Sequence, residues 1–387
     1  MNFELTEEQQ RLREATRRFV QKELPDLARH LEETDQPVSE AWRRRYAEMG
    51  FLGVNIAPSY GGLGLGDFEA ILVLEEFAKI SPAVAFPVFE SSVGPIRAIE
   101  HFGHPNLRAR VIPPVCRGEA VVAVAMSEPD AGTALTDLKT RADISASRIV
   151  LQGQKRWCSG GSHADGYLVY CRLSSAPGAA GIGAVYVDKD RPGVSFGNPE
   201  RLMGFRGIPS ADIFLDHVEV PLDHLVVPAG GFKNLMRAFD LERCGNATMC
   251  LGIAEAALQQ ALSYTQERRQ FGKPLVDFQA VQLKLAEMAM QVEAARLLIY
   301  RGVQPASPSL PSAYDSSLAK CFANEMVRQV CGNALQVMGG YGYSKQYSME
   351  QRLRDAWGWG IAGGAIDIQK VNIAAEIVGR RFPQRAT

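Results

Sequence analysis

The sequence of 387 residues lacks several features that would assign it to a specialised class of protein. Its seven cysteines include no Cys-x-x-Cys pair, which argues for reduced, buried thiols and against a disulfide framework or a structural zinc site. The 42 basic and 43 acidic side chains leave a formal net charge of −1, so nothing favours nucleic acid or an anionic membrane as partner. No apolar run approaches the roughly 18 residues of a membrane span, and the N-terminus lacks a signal-peptide pattern. We expect a cytoplasmic protein.

Hydrophobic periodicity changes twice along the chain and predicts three domains. Residues 1–120 have helical spacing, residues 121–232 have the period of two that is typical of strands, and residues 233–387 return to longer helical patterns. No helical pattern alternates with the strands, which disfavours a Rossmann-type parallel sheet. We therefore predict an α+β chain with an N-terminal α-helical domain, a middle β-barrel or β-sandwich domain and a C-terminal four-helix bundle.

Six segments combine polar, aromatic or glycine residues near the ends of predicted elements. They are 124–133, 155–161, 239–243, 267–274 with 278–279, 336–343, and 352–356 with 361–369. A Pro-Asp-Gly turn can hold a heteroaromatic edge, a tryptophan can stack on a flat ring, and paired arginines suit a pyrophosphate. Each segment also has an ordinary interpretation as a turn, a core residue or a helix end. Their order and spacing are more specific than any one of them.

In this order, the six segments resemble the acyl-CoA dehydrogenase family over essentially the whole chain. Residues 126–132 (Met-Ser-Glu-Pro-Asp-Ala-Gly), 268–273 (Arg-Arg-Gln-Phe-Gly-Lys) and 338–342 (Met-Gly-Gly-Tyr-Gly) carry the resemblance most specifically. It implies a homotetrameric FAD enzyme of fatty acid metabolism, with the flavin between the middle domain and the C-terminal bundle. The reaction it implies is α,β-dehydrogenation of an acyl-CoA, with electron-transferring flavoprotein as the partner that accepts the electrons.

The resemblance also implies which residues contact FAD and the substrate. The residues expected to bind the flavin are Val124, Met126, Ser127, Gly132, Thr133, Trp157, Cys158, Ser159, Ala365 and Asp367. Those expected to hold the diphosphate and adenosine, across a subunit boundary, are Arg268, Phe271, Gln279, Gln336, Val337, Gly339 and Gly340. Those expected at the thioester or coenzyme A are Thr133, Asp240, Leu241, Arg243, Gly363 and Gly364.

The chain departs from the commonest pattern of that family at the catalytic base. Many members carry the base as glutamate in a Tyr-Glu-Gly-Thr turn, where residues 362–365 here read Ala-Gly-Gly-Ala. A minority, including isovaleryl-CoA and long-chain enzymes, place it on the C-terminal helix in an Asp-x-Glu-Arg motif, which residues 240–243 match. The resemblance therefore implies Glu242 as the base. Burial in a dry pocket can supply the raised pKa that this role needs.

Two alternative functions remain open from the sequence. Flavin-containing lyases of the same fold, such as sulfinopropionyl-CoA desulfinases, perform no net oxidation and lack a glutamate at the position of Glu242, so its presence favours dehydrogenation. A catalytically silent acyl-CoA- or flavin-binding homologue is the second alternative, because the loop glutamate is missing. The glycine at 363 frees volume near the reacting carbons, which predicts a branched or bulky acyl group.

Substitution of the proposed base tests this assignment directly. Glu242→Gln removes the proton acceptor but keeps the shape of the side chain, so it should abolish bleaching of the flavin by acyl-CoA and leave FAD bound. Anaerobic absorbance spectra measure both quantities. Undiminished turnover by the variant would exclude Glu242 as the base.

Overall fold

The computed structural model describes residues 4–304 and 310–382. Helices form the first part of the chain: α1 (Glu7–Glu23), α2 (Pro25–Thr34), α3 (Glu40–Glu48), α4 (Asp67–Ile80), α5 (Pro82–Ser92), α6 (Pro95–Phe102) and α7 (Pro105–Cys116). Local sequence explains several of their starts. Thr6 and Gln9 form a reciprocal capping box at α1, and proline occupies the first turn of α2, α5, α6 and α7.

A mixed eight-stranded sheet follows. Its strands are β1 (Val122–Ala125), β2 (Arg141–Ile144), β3 (Ile149–Ser159), β4 (Gly166–Arg172), β5 (Ile182–Asp188), β6 (Val194–Phe196), β7 (Ser210–Val220) and β8 (Leu225–Val227). The order is β6-β7-β3-β2-β4-β5-β8, and β1 lies parallel beside β4. Most pairs are antiparallel, as expected for a sheet without crossover helices.

The rest of the described chain is mainly helical. It contains α8 (Phe232–Glu267), the short strands β9 (Arg269–Gln270) and β10 (Lys273–Pro274), α9 (Gln279–Val303), α10 (Ala313–Met338), α11 (Gly340–Tyr343), α12 (Met349–Trp359) and α13 (Ile366–Val378). The predicted order of helical, strand and helical domains is confirmed. The outer limits of the predicted first and third domains, residues 1 and 387, lie outside the described residues.

The long helix α8 lies in the interior of the helical core and brings the predicted catalytic segment with it. Gly252 lets α4 approach closely, since a Cβ atom there would lie 2.5 Å from the Ala78 Cβ atom. Leu241 and Met249 are fully buried in the same core. Residues 240–250 of α8 are therefore buried apart from Glu242, which is half-buried, and a charge in this part of the helix is partly removed from water. No helix in the described ranges has the length and apolar character needed to span a membrane.

Candidate active site

Two of the predicted segments meet at the turn that follows β1. After β1 the chain makes a tight turn in which Glu128 and Ala131 exchange two main-chain hydrogen bonds of 3.1 Å. The Arg156 N–H of β3 donates to the Ser127 carbonyl oxygen at 2.9 Å, which attaches this turn to β3. Residues 124–133 and 155–161 thus lie side by side. This agrees with the prediction that both segments bind the flavin.

A buried ion pair holds this turn in place. The Lys155 ammonium, 0% exposed, lies 2.8 Å from a carboxylate oxygen of Glu128 and donates to the Met126 carbonyl oxygen at 2.9 Å. Burial alone would raise the pKa of Glu128, but Lys155 and the N–H groups of Lys139 and Thr140 hold the pKa below its usual value. Both charged residues lie in the predicted segments 124–133 and 155–161, but their pairing was not predicted.

Trp157 lies next to this pair in an unusual backbone conformation. Its φ is 60°, in the left-handed region, at a bulge where the register of β3 against β7 shifts. The indole is 52% exposed, and the Arg156 guanidinium lies 4.2 Å from its ring centroid. Arg156 is itself held by Asp212 at 2.8 Å. The strained bulge thus presents a flat aromatic ring with one face supported by a cation.

The adjacent predicted residues differ in what they present. Cys158 is buried in the core of the strand domain, and burial raises the pKa of its thiol to about 12, so only its main chain could contact a ligand. Gly132 and Thr133 are exposed, and a Cβ atom on Gly132 would meet nothing within 4 Å. Val124, Met126, Ser127 and Ser159 are half-buried along the same surface.

Glu242 lies in the buried part of α8 without a bound partner. Its carboxylate forms no hydrogen bond and no ion pair with any residue that the structure describes. The side chain is partly open, yet enough protein surrounds the carboxyl that burial raises its pKa to about 8, against the opposing charges of Arg243 and Lys320. In turn, the charge of Glu242 helps to raise the pKa of the buried Tyr170 phenol of β4, after the effect of burial.

Residues 362–365 form the turn in which many family members carry the catalytic base. This turn lies near Glu242, and side chains of α8 and α10 hold it by hydrogen bonds. The Lys320 ammonium of α10 donates to the carbonyl oxygens of Ala362 and Gly364 at 2.5 and 2.8 Å. Burial lowers the pKa of Lys320 to about 7. Asn246, one helical turn after Glu242, also donates to the Ala362 oxygen at 3.4 Å. These bonds fix the backbone around Gly363, whose φ of 65° favours glycine.

The residues on either side of Glu242 on α8 already make contacts within the protein. Asp240 and Arg243 form an ion pair with each other, and the Ser316 hydroxyl donates to Asp240 at 3.0 Å. The Nε atom of Arg243 is buried and has no partner in the described structure. Leu241 is fully buried in the helical core. Of the predicted substrate contacts on α8, Arg243 therefore retains a free donor.

Comparisons with known proteins agree with this geometry. Family models for the N-terminal, middle and C-terminal domains of acyl-CoA dehydrogenases match residues 6–119, 123–218 and 229–378. The chain is 35% identical to 3-sulfinopropanoyl-CoA desulfinase of Paraburkholderia xenovorans over 99% of both chains. The chain belongs to the acyl-CoA dehydrogenase family.

Solved structures give the same assignment. Butyryl-CoA dehydrogenase of Megasphaera elsdenii is similar with a TM-score of 0.92 and 31% identity, over 98% of this chain and 100% of that one. A structure described as the electron transferring flavoprotein of Acidaminococcus fermentans is similar with a TM-score of 0.94 and 31% identity, with the same coverage. This acyl-CoA dehydrogenase-family enzyme uses FAD.

The described residues fit the flavin end of FAD. The exposed Trp157 indole offers a stacking surface, and the open turn around Gly132 leaves room for a ring to approach main-chain N–H groups. The N-cap of α13 is Ala365, which has no side-chain cap, and Asp367 is exposed in the first turn. The residues Ala365 and Asp367, which were predicted to bind the flavin, therefore lie at a helix N-terminus whose first N–H groups have no side-chain cap.

The residues predicted for the diphosphate and adenosine lie at the far end of the C-terminal bundle. The exposed members of this group are Arg268, Phe271, Gln279, Gln336, Gly339 and Gly340, and Val337 is half-buried. The Arg268 guanidinium lies 5.5 Å from the ring centroid of Tyr341, which brings residues 267–279 and 336–343 together. The helical rise puts Arg268 roughly 39 Å along α8 from Glu242, so this group and the base lie at opposite ends of one chain.

The buried Lys155–Glu128 pair should determine flavin content. Lys155→Met leaves the Glu128 carboxylate buried without its cation, which should cost about 3–5 kcal/mol of stability and release the turn that faces the flavin. Thermal unfolding and the FAD-to-protein absorbance ratio measure the two effects. Lys139→Met is the matched control, because Lys139 pairs with Asp130 of the same turn at the exposed surface, and we expect its loss to leave stability and FAD content almost unchanged. Equal behaviour of the two variants would contradict this assignment.

Proposed function

We propose that this enzyme dehydrogenates the α,β-bond of an acyl-CoA thioester, with Glu242 as the base that removes the α-proton. The observation that carries the proposal is the carboxyl of Glu242, which has no partner among the residues that the structure describes and has a pKa of about 8. A weakly acidic C–H proton needs a stronger base than an ordinary carboxylate, and burial supplies that basicity. Gly363 lacks the loop carboxyl of many family members, and a Cβ atom there would contact Asn246 Nδ2 at 3.4 Å and Lys320 Nζ at 3.6 Å.

The neighbouring residues have roles that agree with this chemistry. Asp240, Arg243 and Thr133 are proposed to contact the thioester or coenzyme A, and the unpartnered Nε of Arg243 is a donor available for it. The rigid turn around Gly363 and Gly364 would border the reacting carbons, held by Lys320. FAD, when bound, supplies the acceptor for the hydride that leaves the β-carbon. The absence of a side chain at Gly363 supports a branched or bulky acyl group.

We also propose a homotetramer that shares its FAD sites between subunits. Within a single chain the proposed base Glu242 and the exposed Arg268 are about 39 Å apart along α8, so one active site would take its diphosphate-side residues from a second copy. A second copy that places its Arg268 group at the first copy's Trp157 surface removes this separation. Light scattering tests the proposal, and an FAD-loaded monomer would contradict it.

The domain limits and the physiological setting remain proposals too. The division at 1–120, 121–232 and 233–387 follows the changes of secondary structure along the described chain. A cytoplasmic enzyme of fatty acid metabolism that passes electrons to electron-transferring flavoprotein agrees with the balanced charge. The similarity to a structure described under that flavoprotein's name supports the proposed partner.

The desulfinase activity is the second candidate, because a relative at 35% identity carries that name. Anaerobic mixing with a panel of acyl-CoAs, including 3-sulfinopropanoyl-CoA, separates the possibilities. We expect bleaching of the flavin by at least one saturated acyl-CoA and formation of the enoyl-CoA. Sulfite release without bleaching would replace the proposal with desulfination, and neither signal with tight acyl-CoA binding would indicate a silent homologue.

The pH dependence of the reaction should report the raised pKa of Glu242. Only the ionised carboxylate accepts a proton, so kcat/KM for flavin bleaching should increase as the pH rises toward about 8 and level off above it. Rapid-mixing absorbance measures the rate, and a Cα-deuterated substrate shows that proton abstraction is the step observed. A profile that is flat between about pH 6 and 9 would contradict Glu242 as a base of raised pKa.

A further inference from the structure

Lys320 of α10 is a fully buried lysine that forms no ion pair with the residues that the structure describes. Its side chain is 0% exposed, and its ammonium donates to the carbonyl oxygens of Ala362 and Gly364 at 2.5 and 2.8 Å. Burial of a cation without a carboxylate is costly, and here it lowers the pKa of Lys320 to about 7. This costly group is therefore engaged with a single turn of the main chain, residues 362–364.

A second buried side chain holds the same turn from α8. The Asn246 amide, 3% exposed, donates to the carbonyl oxygens of Trp359 and Ala362 at 3.2 and 3.4 Å. Its own side-chain oxygen accepts a hydrogen bond of 2.9 Å from the Asn324 amide of α10, which fixes its orientation. The carbonyl oxygen of Ala362 is thus bound by side chains from two helices, since Lys320 and Asn246 both donate to it.

The turn needs these attachments because its own residues supply few. Gly363 and Gly364 have φ angles of 65° and 86°, and glycine loses much conformational entropy when it is held in one conformation. A Cβ atom on Gly363 would lie 3.4 Å from the Asn246 amide nitrogen and 3.6 Å from the Lys320 ammonium, so both side chains lie directly against this backbone. Ala365, which follows, gives α13 no side-chain cap. The conformation of the turn therefore depends on Lys320 and Asn246.

The turn lies beside the proposed base. Asn246 follows Glu242 by one helical turn, so the two side chains lie on the same face of α8. Burial raises the pKa of Glu242, and the charges of Arg243 and then Lys320 lower it, so Lys320 lies near enough to act on the base. A displacement of the turn would change how an acyl chain is presented to the Glu242 carboxylate. Misplacement by about 1 Å can lower a rate by about 100-fold.

We propose that Lys320 is a positioning residue, which holds the carbonyl oxygens of Ala362 and Gly364 and thereby fixes the glycine turn beside Glu242 in the geometry that proton abstraction requires. Asn246 supplies the second attachment of this turn. Lys320 is enclosed by protein, so it acts through the turn and not by contact with the substrate. This inference rests on the proposed function and adds to its base a residue on which the rate of the same step depends.

The test uses substitutions that remove the hydrogen-bond donors but keep the size of the side chains, Lys320→Met and Asn246→Leu. Flavin bleaching by the best acyl-CoA gives kcat and KM, expressed per bound FAD so that cofactor loss is not counted as slower chemistry. Calorimetry gives the Kd of the corresponding unreactive thioether. Lys79→Met is the matched control, because Lys79 is also largely buried and pairs with Glu76 and Glu255, at 2.9 and 3.0 Å, but not with the turn.

Lys320→Met should lower kcat by about 10- to 100-fold and change the Kd of the thioether by less than about threefold, because the reacting geometry is lost while most substrate contacts are kept. Asn246→Leu should lower kcat by about tenfold, since one attachment remains. A Cα-deuterated substrate should show its full isotope effect in both variants, because proton abstraction then limits bleaching. Lys79→Met should keep kcat per bound FAD within about twofold, even if its unfolding temperature falls.

Other outcomes would overturn the inference. An unchanged kcat per bound FAD in Lys320→Met would mean that the reaction does not need this attachment. Parallel losses of kcat, thioether binding and FAD would mean that Lys320 only supports the fold. If Lys320→Met does not fold, Asn246→Leu decides, and a kcat within about twofold of the wild type contradicts the role of the held turn. Absence of bleaching of the wild type by every acyl-CoA would instead contradict the proposed function itself, so the two failures are distinguishable.

Discussion

The unpaired carboxyl of Glu242 is the constraint on which the rest of the site depends. A carboxylate surrounded by protein becomes a stronger base only if nearby cations do not stabilise its charge. Two cations lie near enough to lower its pKa, and both are engaged: Arg243 pairs with Asp240, and Lys320 donates to two carbonyl oxygens. The packing around α8 thus keeps the Glu242 carboxyl partly desolvated without pairing it with a cation.

On the proposed flavin-binding surface, by contrast, the buried charges are paired with each other. There, Glu128 and Lys155 are buried as a direct pair, with further donors from the main chain. Such a pair contributes little net stability but enforces one geometry, because either partner alone would be an uncompensated buried charge. Buried charges are therefore paired where the enzyme needs a fixed shape and left unpaired where it needs reactivity.

Much of the architecture could be predicted from local sequence. Period-two runs identified the strands, helical spacing identified the two helical parts, and motif order identified the family. Individual side chains were less predictable. Cys158 lies in the core although it follows an exposed tryptophan, because neighbouring residues of a strand face opposite sides. The predicted roles of Cys158 and Leu241 at ligands remain predictions.

Three important ionisable residues gave no local signal. In a linear sequence Lys155, Lys320 and Glu90 resemble ordinary surface charges, which are usually solvated. Their partners or neighbours come from other elements. Lys155 contacts Glu128 in the turn after β1, and Lys320 donates to the loop before α13. The charge of Glu242 on α8 contributes to the raised pKa of Glu90 on α5. No periodicity or spacing rule encodes such contacts.

The sequence by itself determined the secondary structure elements, the absence of a strong net charge and the motif residues that identify the family. Those properties depend on short-range preferences and on residue types. Only the tertiary structure decided which charges are buried, which are paired and which are left without a partner. Desolvation and Coulomb interactions depend on three-dimensional distance and surroundings, so the raised pKa values of Glu242 and Glu90 arise only when the helices pack together.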